Sequence, residues 1–557
     1  MMIRTTTALL TLAALACACA LRDPAPAPPA PPIPTEAPTA TPEPTLSPTP
    51  TPVPIGVYVA PWLPSGLKAR LDETFAALPN DFFPIPDASG ASVRVGYSAP
   101  AGLPMLGRQV FGLVAAFPTV ADEATWAEVE ASWQGAPGAQ HSPLRMTPST
   151  YAALSARLGE AAPGAVEVLE ADRIVDALWA DREAWGIAPF DELDPRLKVL
   201  YVDSRLPLRR NLDLAAYPLV TDVVLSGDLN AAAKLQAAFG EAYTNRDESR
   251  MTILGMTGVT ALTRDLAWMM EQNGVLWPAE HIRSWLEEVD ILHVSNEVSF
   301  TPNCPAPILG TGSVVFCSDP RYFDLLTSLG VDVIENTGNH LNDWGSMPFS
   351  YTLDLYVQNN IPYFGGGYNL ADAARPITIE DHGNLIGFVG CNPNGPDIDW
   401  ATESSPGSYP CREGGGIDFA KVKPQIDELR AQGALPVLTI QYWEFYTYEP
   451  TYQQALEFRR AAELGAAIVS GSQAHHPQGF NFASGAVIHW GLGNLFFDQS
   501  ATAGQRQGLL DRYVIYDNRV LSLEVLTFIR EHYAQPRPLT PAERADLLSA
   551  LFAASGW

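Results

Sequence analysis

Positive charge is what this chain most conspicuously lacks. Its 557 residues carry 34 lysines and arginines against 62 aspartates and glutamates, a net charge of -28. No Lys/Arg cluster interrupts that balance, so a polyanionic backbone would be repelled and nucleic-acid binding is excluded. Long apolar runs are also scarce: the amino-terminal run from Ala8 to Ala16 is too short to cross a bilayer as a helix. Cysteine is rare, six in all, and none of the spacings is that of a zinc ribbon. The length exceeds what one hydrophobic core accommodates, and two or three domains are expected.

What is present begins with a targeting segment. Arg4 supplies positive charge, an apolar run follows, and Leu15-Ala16-Cys17 closes it among small residues. Residues 1–19 thus resemble a bacterial lipoprotein signal, with Cys17 as the lipidated residue and Cys19 as the alternative acceptor. An ordinary cleaved secretory signal is the competing reading. Either implies an extracytoplasmic protein, and the first a protein anchored to the cell membrane. Residues 20–54 are dominated by Pro, Ala and Thr, a composition that buries no core and favours an extended polyproline stalk. The remaining cysteines fall as two local pairs, Cys304 with Cys317 and Cys391 with Cys411, each bracketing a Pro/Gly-rich loop as disulfides do in an oxidising compartment. Four cysteines allow three pairings; the local one is preferred.

Residues 55–245 alternate strand-like runs (Ser92 to Tyr97, Gln109 to Ala115, Lys198 to Val202) with helical patterns (Ser65 to Ala77, Pro148 to Leu158, Asp172 to Trp185). Val114 to Ala121, Trp185 to Phe190, Tyr201-Val202-Asp203 and Pro207-Leu208 resemble parts of periplasmic solute-binding domains. That resemblance implies a small solute as ligand, with a degenerate spacer as the equal alternative. From about residue 250 to 535 buried strands are expected at Thr252 to Val259, Asp290 to Val294, Val331 to Glu335, Pro436 to Ile440 and Ala466 to Ser470. Helices stand between them at Pro320 to Ser328 and Tyr452 to Leu464. Such alternation predicts a layered α/β domain with helices outside. Residues 536–557 read as a helical tail.

The richest stretch for chemistry is Asn336-Thr337-Gly338-Asn339-His340-Leu341-Asn342-Asp343, at the carboxyl end of a strand, where open α/β sheets place their ligand crevices. An amide oxygen and a neutral imidazole each bind divalent metal, and a protonated imidazole can protonate a leaving group. The plain alternative is a strand-to-helix turn. Other strand ends carry Glu297, Gln441 to Glu444, His475-His476 and Gly493-Asn494. A carboxylate, an amide and imidazoles converging there would suit one divalent metal and an activated water.

Ser295-Asn296-Glu297, Gly338 to Gly345, Gly366 to Ala373, Tyr448-Glu449-Pro450, Gly471…His475…Gln478-Gly479 and Leu492 to Gln499 together resemble, in order, the CapA family of bacterial capsule and poly-γ-glutamate synthesis. The resemblance spans about residues 250 to 530. It implies a four-layer, calcineurin-like metallophosphoesterase-type sandwich, here preceded by the smaller solute-binding-like domain. It also implies a divalent metal ion (Mn, Zn or Mg), an anionic envelope polymer or the capsule synthesis machinery as partner, and a site made of Glu297, Asn339, His340 and His475. His340 is the residue expected to be catalytic; the others would be metal ligands. Three family positions depart. Val259 stands where the opening strand has Asp, Gln441 where a His is expected, and Ser472-Gln473 replace a His-His pair. A bridging carboxylate holds two cations together, and valine cannot. Gln441 and Gln473 oxygens could complete the shell of one metal, and Glu444 or Asp265 are candidate substitutes for the lost acid.

Overall fold

The computed structural model describes residues 53–97, 102–136 and 141–557, so Cys17, Cys19 and nearly all of the 20–54 segment lie outside the described residues. Residues 53–557 form one compact unit. Among the described residues no helix is long and apolar enough to cross a membrane.

The three large sheets divide along the chain. The first is built from strands within 55–244, in the order 82–84, 55–59, 93–97, 220–227, 105–116, 186–189, 144–146, 166–168. It serves two separate cores. One packs Val57, Val95 and Leu225 against the helices Ser65–Ala77 and Leu229–Phe239. The other packs Leu113, Leu144 and Ile187 against three helices, including Pro148–Leu158. The helix expected over Asp172 to Trp185 spans Ala171–Ala180 instead. Asp181 leaves the helical conformation there, and Trp185 is drawn into the core at the start of the Gly186–Pro189 strand.

The site-bearing part is a four-layer α/β sandwich. Its first sheet orders strands 363–364, 333–335, 291–296, 251–260, 507–516, 519–531, 535–538, with 494–496 also on 251–260. Four of these, from Tyr363–Phe364 to Met251–Thr260, run parallel. The second sheet orders 377–381, 384–391, 435–441, 468–472, 486–489, 480–483, with parallel central strands. Strands buried on both faces read as continuous apolar runs, which is why Met251–Thr260 has no exposed position. Leu254, Met256 and Val333 meet Ile386, Val437 and Ile468 between the sheets. Helices Arg264–Asn273 and Ser346–Gln358 cover the outer face of one sheet, and Phe419–Ala431 and Tyr452–Glu463 that of the other. The last helix, Pro541–Ala554, buries Leu547, Leu548, Leu551 and Phe552 in the same central core.

Both local cysteine pairs are joined, Cys304 to Cys317 and Cys391 to Cys411. Each closes a loop that overhangs the carboxyl ends of the parallel strands.

Candidate functional site

Glu297 follows the Ile291–Asn296 strand, Gln441 ends Leu435–Gln441, and Gln473 and His475 follow Ile468–Ser472. Asn339 and His340 come after Val333–Glu335. Parallel strands deliver these ends to one edge. Gly338 permits the closest approach, since a Cβ there would stand 2.7 Å from the Glu297 Cα.

Gln441 is the hub. Its Nε2 donates to Glu297 Oε1 at 3.3 Å, to Asn339 Oδ1 at 3.1 Å and to Gln473 Oε1 more closely still. A neutral amide thus stands among three oxygens, where a cation would be at home. Its own Oε1 is buried without a partner, as is Glu297 Oε2. Turned over, the amide would bring Oε1 to the same oxygens, an arrangement stable only around a positive charge.

His475 completes this half. Asn494 Nδ2 donates to the carbonyls of His475 and Gln505, which fixes Asn494 Oδ1 as an acceptor facing His475 Nδ1 at 2.7 Å. The proton therefore sits on Nδ1, and the Nε2 lone pair faces Glu297 Oε1 at 3.9 Å. Burial holds His475 neutral, its pKa pushed down to about 3 despite the Asn494 hydrogen bond. This is how a protein orients a metal-binding imidazole. Gln473 and His475 both adopt positive φ, at 78° and 48°. That conformation is costly for residues with a side chain, and such strain concentrates at functional sites.

Burial also dominates Glu297, raising its pKa to about 7; Glu444 and Asp343 add to the rise, while His340 and the Gln441 hydrogen bond oppose it. His340 moves the other way from His475. Burial disfavours its charge, but the 2.8 Å contact of Nδ1 with Asp343 and the negative charge of Glu297, Asp343 and Asp399 outweigh that, and its pKa is raised. Asp399 itself is fully buried, accepts the Asn342 N–H at 2.6 Å and leaves its other oxygen unpartnered. Burial pushes its pKa up to about 7, with Asp343 contributing.

The two candidate substitutes for the lost carboxylate are engaged elsewhere. Asp265 Oδ1 accepts the Gly310 N–H at 2.7 Å, and Glu444 is exposed and bonded to Tyr446. Val259 belongs to a small apolar cluster with Ala261, Val298, Phe316 and Phe497. Phe316 packs on His340 at 4.3 Å between ring centroids, and Phe497 lies 5.3 Å from His475. Ser472 Oγ meets Ser295 Oγ at 3.3 Å, tying the two sheets together. The donor set therefore fits one cation, held by Glu297, Asn339 and His475 with a glutamine oxygen. It does not fit two, because the second position has apolar lining and no bridging acid.

Among the described residues, three His/Cys/Asp/Glu ligand atoms converge only at Asp290, Asp381 and His382, and not in the cleft, where amides must make up the set. Arg210 already serves that place: its Nη2 donates to Asp290 at 2.6 Å and lies 3.3 Å from His382 Nδ1.

Reading the sequence missed Asp343 and Asp399 as partners of His340. Asp343, three residues on, offered a signal of position; Asp399 arrives from the Cys391–Cys411 loop and offered none.

The cleft thus lies at the carboxyl edge of a four-layer α/β sandwich, with a carboxylate, amides and imidazoles as its polar groups. Residues 253–499 match the family model described as bacterial capsule synthesis protein PGA_cap. The PGA biosynthesis protein CapA of Bacillus subtilis (strain 168) is 27% identical over 216 residues, 39% of this chain and 55% of its own length. The chain thus spans about half of that relative. The capsule biosynthesis protein CapA of Bacillus anthracis is 22% identical over 335 residues, 58% of this chain and 77% of that protein. An ABC-type phosphate transport receptor from Vibrio cholerae aligns with 34% of this chain and 99% of its own, at 11% identity and a TM-score of 0.28.

Proposed function

We propose that this is a lipid-anchored extracytoplasmic protein that serves the synthesis or anchoring of a capsule or poly-γ-glutamate-type envelope polymer, through a cleft that has lost two-metal hydrolysis. The observation that carries this reading is the Gln441 amide lying among Glu297, Asn339 and Gln473, beside an apolar cluster containing Val259. An amide there donates toward one oxygen of each residue without a cation, and valine offers nothing to a second one. In this reading the cleft holds polymer or a component of the synthesis machinery.

A second reading is favoured by His475, whose free Nε2 faces Glu297. In it the cleft is a single-metal hydrolase acting on a phosphoester or acyl bond. One bound divalent ion (manganese, zinc or magnesium) would polarise the substrate oxygen and lower the pKa of a bound water. Here Glu297, Asn339 and His475 would hold the ion, and His340, whose pKa the Asp343 contact helps to raise, would face the leaving group. Turnover of bis(p-nitrophenyl) phosphate and of a γ-glutamyl anilide at saturating manganese separates the two. The first reading expects none above buffer; turnover abolished by His340→Ala would establish the second.

A further inference from the structure

We infer that the cavity beneath the Cys304–Cys317 loop binds the aliphatic chain of an amphiphile. From Thr301 to Ser318 there is no charged residue, in a chain of which 17% is charged. Yet this segment lies at the surface. Ile308 is 70% exposed, Val314 72% and Val315 53%. Looseness does not explain the exposure, because the loop is pinned at many points. The disulfide closes it, Thr301 N–H donates to Ser318 O at 2.9 Å, and Gly310 N–H donates to Asp265 at 2.7 Å. Arg264 Nη1 donates to Ser313 O at 3.1 Å, and Phe316 N–H to Asp343 at 2.7 Å. A rigid loop that turns aliphatic side chains outward is held ready for an apolar partner.

Beneath it lies a cavity of about 270 Å³ whose apolar lining includes Ala267, Pro305, Pro307, Ile308, Val315 and Trp344. No carboxylate lines it, and its one charge, Arg264, is already bound to Asp498. Thr263, Thr311, Ser313 and Tyr322 add hydroxyls, but those of Thr311, Ser313 and Tyr322 already donate to Ile308 O, Val315 O and Glu271, so the lining suits methylene groups better than a sugar or a peptide backbone. Continuity with the polar cleft is direct. Cys317 lines the cavity, and its neighbour Phe316 lies against His340. An amphiphile whose chain occupies the cavity would present its polar end beside the cleft. The inference is independent of whether the cleft holds metal.

Trp344 gives the test. The purified chain is titrated, without metal, with 11-bromoundecanoate below its micelle concentration, and quenching of tryptophan fluorescence is followed. Saturable quenching is expected, weakened at least tenfold in Ile308→Asp/Val315→Asp and largely lost in Trp344→Phe. Unbrominated fatty acids should compete, each added methylene tightening binding about fourfold until the cavity is filled. Both variants change exposed positions, and an unaltered melting temperature without ligand controls for folding. Quenching that is absent, or equal in all three proteins, overturns the proposal. So does quenching seen only with vesicles of brominated phospholipid, which would make the loop a bilayer contact rather than a chain-binding site.

Discussion

Gln441 Nε2 and Asn339 Oδ1 lie 3.1 Å apart, joining the end of a strand in one sheet to the loop that follows a strand in the other. That contact closes the cleft with a neutral group where a metal site would need a ligand. Gln441→His should therefore raise manganese affinity by at least tenfold by calorimetry, because imidazole is much the better ligand. Gln441→Leu should leave Glu297 and Asn339 oxygens without a donor and lower the melting temperature.

Against burial, the Asp343 contact is the largest influence raising the His340 pKa. In Asp343→Asn the hydrogen bond loses its charge and burial becomes the stronger influence. The His340 pKa, followed by NMR of the ring protons, should fall, and the fall should be larger in the variant than any change at His475.

Asp399 makes the fold lose stability as the pH rises toward neutrality. Its pKa is raised from 3.8 to about 7, so the folded chain holds a proton that the unfolded chain releases. The stabilisation is fully present below about 4 and is lost as pH rises through about 7. Asp399→Asn should remove that dependence, so that the variant's melting temperature, relative to the parent, is higher at pH 8.5 than at pH 5.

The Cys391–Cys411 bond closes a 20-residue span that brings Asp399 to the site. Replacing both cysteines by serine should cost about 3 kcal/mol by the entropy of a loop that size. Denaturant unfolding under non-reducing conditions measures it, and a loss under 1 kcal/mol would mean that the loop is held by its packing alone.

Gly338 leaves no room for a side chain against the Glu297 backbone. Gly338→Ala should destabilise by about 1–3 kcal/mol, as overpacking does, and should also displace Glu297.

Much of the layered architecture was legible because its strands are doubly buried. Val333–Glu335 and Ile468–Ser472 announce themselves as apolar runs, and the helix Tyr452–Glu463 by its period. The residues at the strand ends could be named from the same pattern. What the sequence could not convey was the detail of the contacts. The resemblance set Gln441 beside Glu297 as an oxygen ligand, and nothing in the sequence foretells that its Nε2 donates there instead. Nor does Val259 reveal that Phe316 and Phe497 join it to form an apolar wall. Asp399 was illegible as a loop position whose importance arises only when the disulfide-closed segment folds back onto Asn342.

A donor set fitted to one cation and no more can be counted in crystals soaked in manganese and measured at the manganese absorption edge. At most a single anomalous peak is expected, bounded by Glu297, Asn339 and His475. Two peaks about 3.5–4 Å apart, the spacing of a working two-metal centre, would contradict it.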